Sequence, residues 1–228
     1  MRILALDQGT TSTRGLVADE NGRAEIVHAV RHEQHFPEAD RVEHDPQELL
    51  ANLRAVIEAA GEVEAIALSN QGESCLAWDA MTGEPLSPVI VWQDRRTEAT
   101  LAGVAGQAEM VRARTGLPLD PYFSAAKLGW LCDNNRRVQQ AHRAGRLRLG
   151  TTDAFFLQHL TGEARTDVTT ASRTSLMSLE TGQWDPELCK LFGVPIECLP
   201  EIRPTVADFG CIGEVPVTAA VVDQQAAL

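Results

Sequence analysis

The chain has 228 residues, 44% hydrophobic and 23% charged, the make-up of a globular protein able to bury a sizeable core as one large domain or two small ones. Its formal net charge of -12 excludes a general affinity for nucleic acid or an anionic membrane surface, while a small anionic ligand can still bind at a local basic or amide-rich site. Five scattered cysteines without a C-x-x-C pair argue against a disulfide framework or zinc site, the start reaches Asp7 too soon for a secretory apolar region, and no run is long enough to span a bilayer, so a cytoplasmic protein is expected.

Residues 2 to 6 and 13 to 18 read as strands joined by a short polar turn. Asn21-Gly22 starts a second turn into an alternating run, Ala24 to His32, so the chain is expected to open with three antiparallel strands. His28, His32 and His35 lie along the last strand and its exit without a ligand pattern of Cys or carboxylate, and read as a solvated face. Asp45 can cap the next helix, Pro46 suits its first position, and Glu48 can reach back to close a capping box. Leu49, Leu50, Leu53, Val56, Ile57 and Ala60 then recur at helical spacing.

Ala65 to Ser69 is a short apolar run that delivers a polar loop, Asn70-Gln-Gly-Glu-Ser74, and Cys75 to Asp79 and Val89 to Trp92 read as two more strands. From Glu98 to about Leu160 the pattern is mainly helical, broken at Gly116-Leu-Pro118 and at Gly145. Within it Trp130, Phe155 and Phe156 read as core, Lys127 as a surface or helix-contact residue, and the arginines at 136, 137 and 143 to 148 as a solvated helix face. The last third is less regular until an apolar strand, Val217 to Val222, runs into Asp223-Gln-Gln. No fixed-period repeat or low-complexity segment is present.

The strands at 2 to 6, 65 to 69 and 217 to 222 share one property: each runs into a polar cluster with a carboxylate, Asp7, Glu73 or Asp223. Ligands of α/β sheets sit at the carboxyl ends of strands, so these distant positions are expected to converge. In Asp7-Gln-Gly-Thr-Thr-Ser-Thr-Arg14, Gly9 allows close backbone approach, Thr10, Thr11 and Ser12 can donate to phosphate oxygens, and Arg14 adds a forked cation. Asp7 would organise Mg²⁺, which takes few carboxylates beside water and phosphate oxygens. An ordinary hairpin tip would use the same residue types, and the two readings are even. Asp223 is a candidate general base for a substrate hydroxyl, with a helix cap as the alternative.

An ordered set of segments now carries a resemblance: Leu6-Asp-Gln-Gly-Thr-Thr11, Val42-Glu-His-Asp-Pro46, Val91-Trp-Gln-Asp-Arg-Arg-Thr97, Asp120-Pro-Tyr-Phe-Ser124 with its continuation to Asn134, Thr161-Gly-Glu-Ala-Arg-Thr-Asp167, Ala171-Ser-Arg-Thr174 and Asp223-Gln-Gln-Ala-Ala227. Together they resemble the FGGY carbohydrate kinases, and among them the glycerol kinases, over the whole chain. The resemblance implies an α/β, ribonuclease-H-like (actin-like ATPase) domain, with a mixed five-stranded sheet flanked by helices and a helical insertion. It implies transfer of the γ-phosphate of ATP to a polyol or sugar hydroxyl. Asp7 then looks like the metal-organising acid, Thr10, Thr11, Ser12 and Arg14 like phosphate contacts, and Asp223 like the catalytic base. Glu73, Trp92, Tyr122, Asp223 and Gln224 resemble the acceptor pocket, Trp92 as an apolar wall and the others bonding hydroxyls.

Two positions depart from the family pattern. Gly72 stands where glycerol kinases have arginine, which is expected to open room for a longer polyol or a sugar and to change preference by roughly 1 to 3 kcal/mol. Val222 stands where the family usually has glycine, and its branched side chain is expected to shift the backbone that carries Asp223. Residues 1 to 228 are expected to be the acceptor-side domain, without the family's nucleotide-holding C-terminal domain and inactive or nearly so alone, with any homo-oligomer formed through the full-length protein. Rival readings are a non-catalytic sugar-binding or regulatory protein on the same fold, which the retained Asp7, Thr10, Thr11, Arg14 and Asp223 oppose, and an actin-like ATPase that makes interfaces.

Overall fold

The computed structural model describes residues 1–228. Three strands open the chain, β1 (Arg2–Gln8), β2 (Ser12–Asp19) and β3 (Ala24–Arg31), paired antiparallel in succession with Asp7 opposite Arg14. A short β4 (Glu43–His44) precedes α1 (Pro46–Ala60), where Asp45 accepts a hydrogen bond from Gln47 N at 2.8 Å and Pro46 starts the first turn. The expected capping box does not close. Glu48 instead accepts from the amide of Glu33, at 3.3 and 3.4 Å, because the chain leaving β3 brings that unpaired N–H to the same turn.

β5 (Ala65–Asn70), β6 (Cys75–Asp79) and β7 (Val89–Ile90) follow, then α2 (Glu98–Gly103), α3 (Ala108–Thr115), α4 (Ser124–Asn134) and α5 (Arg136–Arg143). Next come β8 (Leu147–Thr151), α6 (Thr152–Thr161), β9 (Arg165–Asp167), α7 (Val168–Ser172) and α8 (Pro186–Phe192). The chain finishes through β10 (Glu201–Arg203), β11 (Cys211–Ile212), β12 (Val215–Val222) and α9 (Asp223–Ala226). No helix is long and apolar enough to cross a membrane.

The principal sheet has the order β11-β12-β5-β1-β2-β3, so the five expected strands gain a two-residue sixth, β11, at one edge. β12, β5 and β1 run parallel, while β1, β2 and β3 alternate. Period-two burial puts Leu4, Leu6, Ile66, Leu68 and Ala220 on one face, against Leu49, Leu53 and Val56 of α1 and Phe155 and Phe156 of α6. Gly15 lets α1 approach that face, since a Cβ there would lie 2.4 Å from Val56 Cγ1. The other face is more open: Ala5, Asp7, Ser69 and Val221 are half-buried and Arg14 and Leu16 exposed.

A second core forms between the four-stranded sheet β4-β7-β6-β8 and the helices α4, α5 and α8. Here β8 corrects the mainly helical expectation for 98 to 160. Its Leu147 and Leu149 point inward while Arg148 is half-exposed, a period of two that is fixed by pairing along β6 from Cys75 to Asp79. Five residues between helices are too few to reveal that period without the partner strand.

Candidate active site

Because β12, β5 and β1 are parallel neighbours, their carboxyl ends lie at one edge of the sheet. Asp7 stands beside Ser69, Gln8 beside Asn70, and Val222 beside Asn70 from the other side. Asp7 and Asp223 therefore leave strands that flank β5, two strand spacings or about 10 Å apart along the backbone. The Asp223 carboxyl is raised from its ordinary value. Burial is the main cause, the Asp7 charge acts more weakly in the same direction, and the nearby Gln224 and Gly72 amides oppose both. Asp223 Oδ1 accepts from Gln224 N at 2.8 Å, so the carboxylate does contact the first turn of α9, although Val222 and not Asp223 is the capping residue.

The turn after β1 is closed by Gly9 N donating to Ser12 O at 3.0 Å. Thr11 and Arg14 are exposed and Ser12 half-buried, and Arg14 shares a sheet face with Asp7. Thr10 is pinned twice: its hydroxyl accepts from Trp92 Nε1 at 3.0 Å, and its carbonyl accepts from His32 Nε2 at 2.8 Å. His32 is thus not on a solvated face, as its spacing suggested. It is buried, its ring meets His44 edge-on with centroids 4.8 Å apart, and burial lowers its pKa. His44, fully buried, is lowered to about 3, mainly by burial, and its Nδ1 lies 3.4 Å from Gln71 Nε2. The other two of the sequence cluster, His28 and His35, are exposed as expected.

The loop after β5 carries Glu73 in the left-handed region, φ 59°, an uncommon conformation for a residue with a side chain. Its Oε1 accepts from Arg173 Nε at 2.7 Å, while Oε2 is buried without a partner in the chain. Burial raises the Glu73 carboxyl against the pull of Arg173. The Glu73 carbonyl accepts from Ser124 Oγ at 2.9 Å, which ties the loop to the start of α4.

Trp92 and Tyr122 stand together with ring centroids 5.5 Å apart, and Gln224 Nε2 donates to the Tyr122 hydroxyl at 3.0 Å. Arg173 Cζ lies 6.0 Å from the Tyr122 ring centre and 5.2 Å from that of Phe123. The aromatic pair borders a cavity of about 370 Å³ that is also lined by Gln93, Asp94, Arg95 and Asp120. Lys127, expected as a surface or helix-contact residue, is fully buried beneath this pair. Its ammonium donates to the Tyr122 carbonyl at 2.6 Å and the Trp92 carbonyl at 3.4 Å, and burial pushes its pKa down to about 8.

Contacts thus link Trp92 to Thr10 and Gln224 to Tyr122, with Glu73 held beside Tyr122 through Arg173. The room expected at Gly72 is not open, because the buried side chain of Val222 adjoins it. Arg173, Lys127 and His32 were not singled out for the site from sequence. The signal for Arg173 is a lone arginine among small residues in Ala171-Ser-Arg-Thr174; Lys127 and His32 have none before the loops are folded. An apolar wall, hydroxyl-binding groups and a carboxylate on one side, and a turn with free amides, an acid and an arginine on the other, suit a polyhydroxylated acceptor and a phosphate donor.

The profile of the FGGY family of carbohydrate kinases, N-terminal domain, matches residues 2–228. Glycerol kinases of Corynebacterium efficiens and Alcanivorax borkumensis are 42% and 44% identical to the chain over 99% of it. The chain spans about half the length of these curated relatives, 50% and 49%. Among solved structures, Plasmodium falciparum glycerol kinase with ADP superposes with a TM-score of 0.92 at 34% identity, covering 99% of this chain and 49% of that one. Gluconate kinase from Lactobacillus acidophilus shares the fold at a TM-score of 0.86 and 24% identity, over 97% of this chain and 48% of that one.

Proposed function

Since the chain belongs to the FGGY family of carbohydrate kinases and has their actin-like ATPase fold, we propose that it forms the acceptor side of an ATP-dependent phosphoryl transfer to a hydroxyl of a polyol or sugar. The observation that carries this reading is the relation between Asp7 and Asp223: the two acids stand at the carboxyl ends of the parallel strands that flank β5, at one edge of the sheet.

In this mechanism the acceptor lies along Trp92 and Tyr122, its hydroxyls bonded by Glu73, Gln224 and Asp223. Asp223 takes the proton of the reacting hydroxyl as its oxygen attacks the γ-phosphorus of ATP, and ADP leaves in line. A carboxyl raised by burial is a better proton acceptor than a free aspartate, and the Gln224 amide fixes its direction. The turn from Gly9 to Ser12 and the Arg14 guanidinium bind phosphate oxygens, and the Trp92 to Thr10 hydrogen bond couples the acceptor wall to that turn. Asp7 fits a Mg²⁺ ligand: it is a half-buried carboxylate beside this turn and opposite Arg14, and Mg²⁺ takes few carboxylates beside water and phosphate oxygens. Bound there, the ion would neutralise charge on the transferring phosphates.

The five free cysteines support a reducing, cytoplasmic site of action. The test is ADP formation by the protein as its gene encodes it, supplied with ATP, Mg²⁺ and in turn glycerol, erythritol, ribitol, xylulose and gluconate. Acceptor-dependent ADP release with at least one compound is expected. No release with any polyol or sugar would overturn the reading.

A further inference from the structure

Gly72 sits in the loop after β5, buried and with a backbone outside the left-handed region, so its φ does not demand glycine. What excludes a side chain is Val222. A Cβ on Gly72 would lie 2.8 Å from Val222 Cγ2, closer than two carbons approach, and the next atom is Gln224 Nε2 at 3.8 Å. Apart from chain neighbours, nothing else lies within 4 Å. Val222 has little freedom to yield. It is fully buried and β-branched, its amide donates to Thr169 Oγ1 at 3.0 Å, and it pairs with Asn70 of β5.

The same small region holds the proposed base. The carboxylate of Asp223, the residue directly after Val222, accepts from the Gln224 amide at 2.8 Å, and the Gln224 side chain bonds Tyr122. A side chain at 72 would therefore press on the residue that carries Asp223 and shift its carboxylate.

We propose that Gly72 and Val222 are an interlocked pair of positioning residues that fixes the Asp223 carboxylate, so that a side chain at 72 is accepted only when the one at 222 is reduced. This rests on the reading of Asp223 as the base of phosphoryl transfer.

The experiment is a double-mutant cycle in the protein as its gene encodes it: wild type, Gly72→Ala, Val222→Ala and the double variant, with the best acceptor of the panel. Gly72→Ala is expected to lower kcat by at least about tenfold, since small displacements of a reacting group are costly. It should also move the acidic limb of the kcat/KM profile to higher pH, because a carboxylate shifted off the Gln224 amide loses a hydrogen bond that favours its ionised form. In the double variant kcat should return to within about threefold of Val222→Ala, and the limb should return with it, since only the removed methyl blocked the new Cβ. A packing defect alone would lower Tm and leave the limb in place.

Losses that multiply independently in the double variant would overturn the proposal, as would a Gly72→Ala protein with unchanged kcat and pH limb. If Gly72→Ala does not fold, a folded and active double variant supports the interlock, and a double variant that also fails to fold contradicts it. If wild type phosphorylates no acceptor, the functional reading falls. The Tm values of the same four proteins then decide the interlock separately, through rescue or additivity.

Discussion

Glu73 Oε1 and Arg173 Nε meet at 2.7 Å although one hundred residues separate them in the chain. The Glu73 side chain is 1% exposed, Arg173 is its one ion-pair partner, and Oε2 is buried without a partner in the chain. Removing one member of such a pair leaves an uncompensated buried charge. Arg173→Met is therefore expected to cost about 3 kcal/mol in chemical denaturation. It should also raise KM for the acceptor, because the unpaired carboxyl is driven towards its protonated form. Adding Glu73→Gln to Arg173→Met should recover part of the stability and none of the acceptor affinity, since an amide needs no counter-charge.

Lys127 gives a pH signature of opposite origin. Its folded pKa, lowered from 10.5 to about 8, lies below the unfolded value, so the fold disfavours the charged lysine. The sign follows: its contribution to stability is fully present above pH 10.5 and is lost as pH falls through about 8. Relative to Lys127→Met, wild type should gain up to about 3 kcal/mol between pH 8 and 10.5, read from urea denaturation of both proteins at each pH. Lys127→Met should raise acceptor KM at pH 7.5, because the Trp92 and Tyr122 carbonyls lose their shared donor.

His44 acts on the acid side. Lowered from 6.5 to about 3, it contributes stability that is present above pH 6.5 and lost as pH falls through about 3. Below pH 6.5 wild type should lose stability relative to His44→Gln with a slope approaching 1.4 kcal/mol per pH unit. Parallel stability curves for the two proteins would refute the buried neutral histidine.

Much of the framework was legible because it rests on local periodicity. β1 to β3 show strand alternation and turn residues, α1 shows its cap and apolar spacing, and Asp7 and Asp223 mark the ends of apolar strands. What was not legible depends on partners far along the chain. Lys127 looks like any helical lysine until the Trp92 and Tyr122 loops fold over it. His32 shares the spacing of exposed His28, and only the Thr10 carbonyl and His44 ring show its burial. β8 needed β6 to be a strand, and Glu48 found the Glu33 amide in place of its own helix. Gly72 and Val222 read as separate departures from a family pattern, although the fold makes them one contact.

The proposed acceptor wall and phosphate turn are joined by a side-chain hydrogen bond, from Trp92 Nε1 to Thr10 Oγ1 at 3.0 Å. Thr10→Val removes the acceptor of the half-buried indole N–H, at a cost of about 1 kcal/mol. In steady-state kinetics KM should rise for both the acceptor and ATP. A rise confined to one substrate would show that the two halves of the site are not coupled through this bond.

The most direct measurement of the central claim is acceptor-dependent ADP formation by wild type and Asp223→Asn under saturating ATP and Mg²⁺. Loss of the base should lower kcat by about 10² to 10⁴ with the fold intact by Tm. An Asp223→Asn protein that turns over its acceptor at the wild-type rate would contradict the assignment of Asp223 as the group that takes the hydroxyl proton.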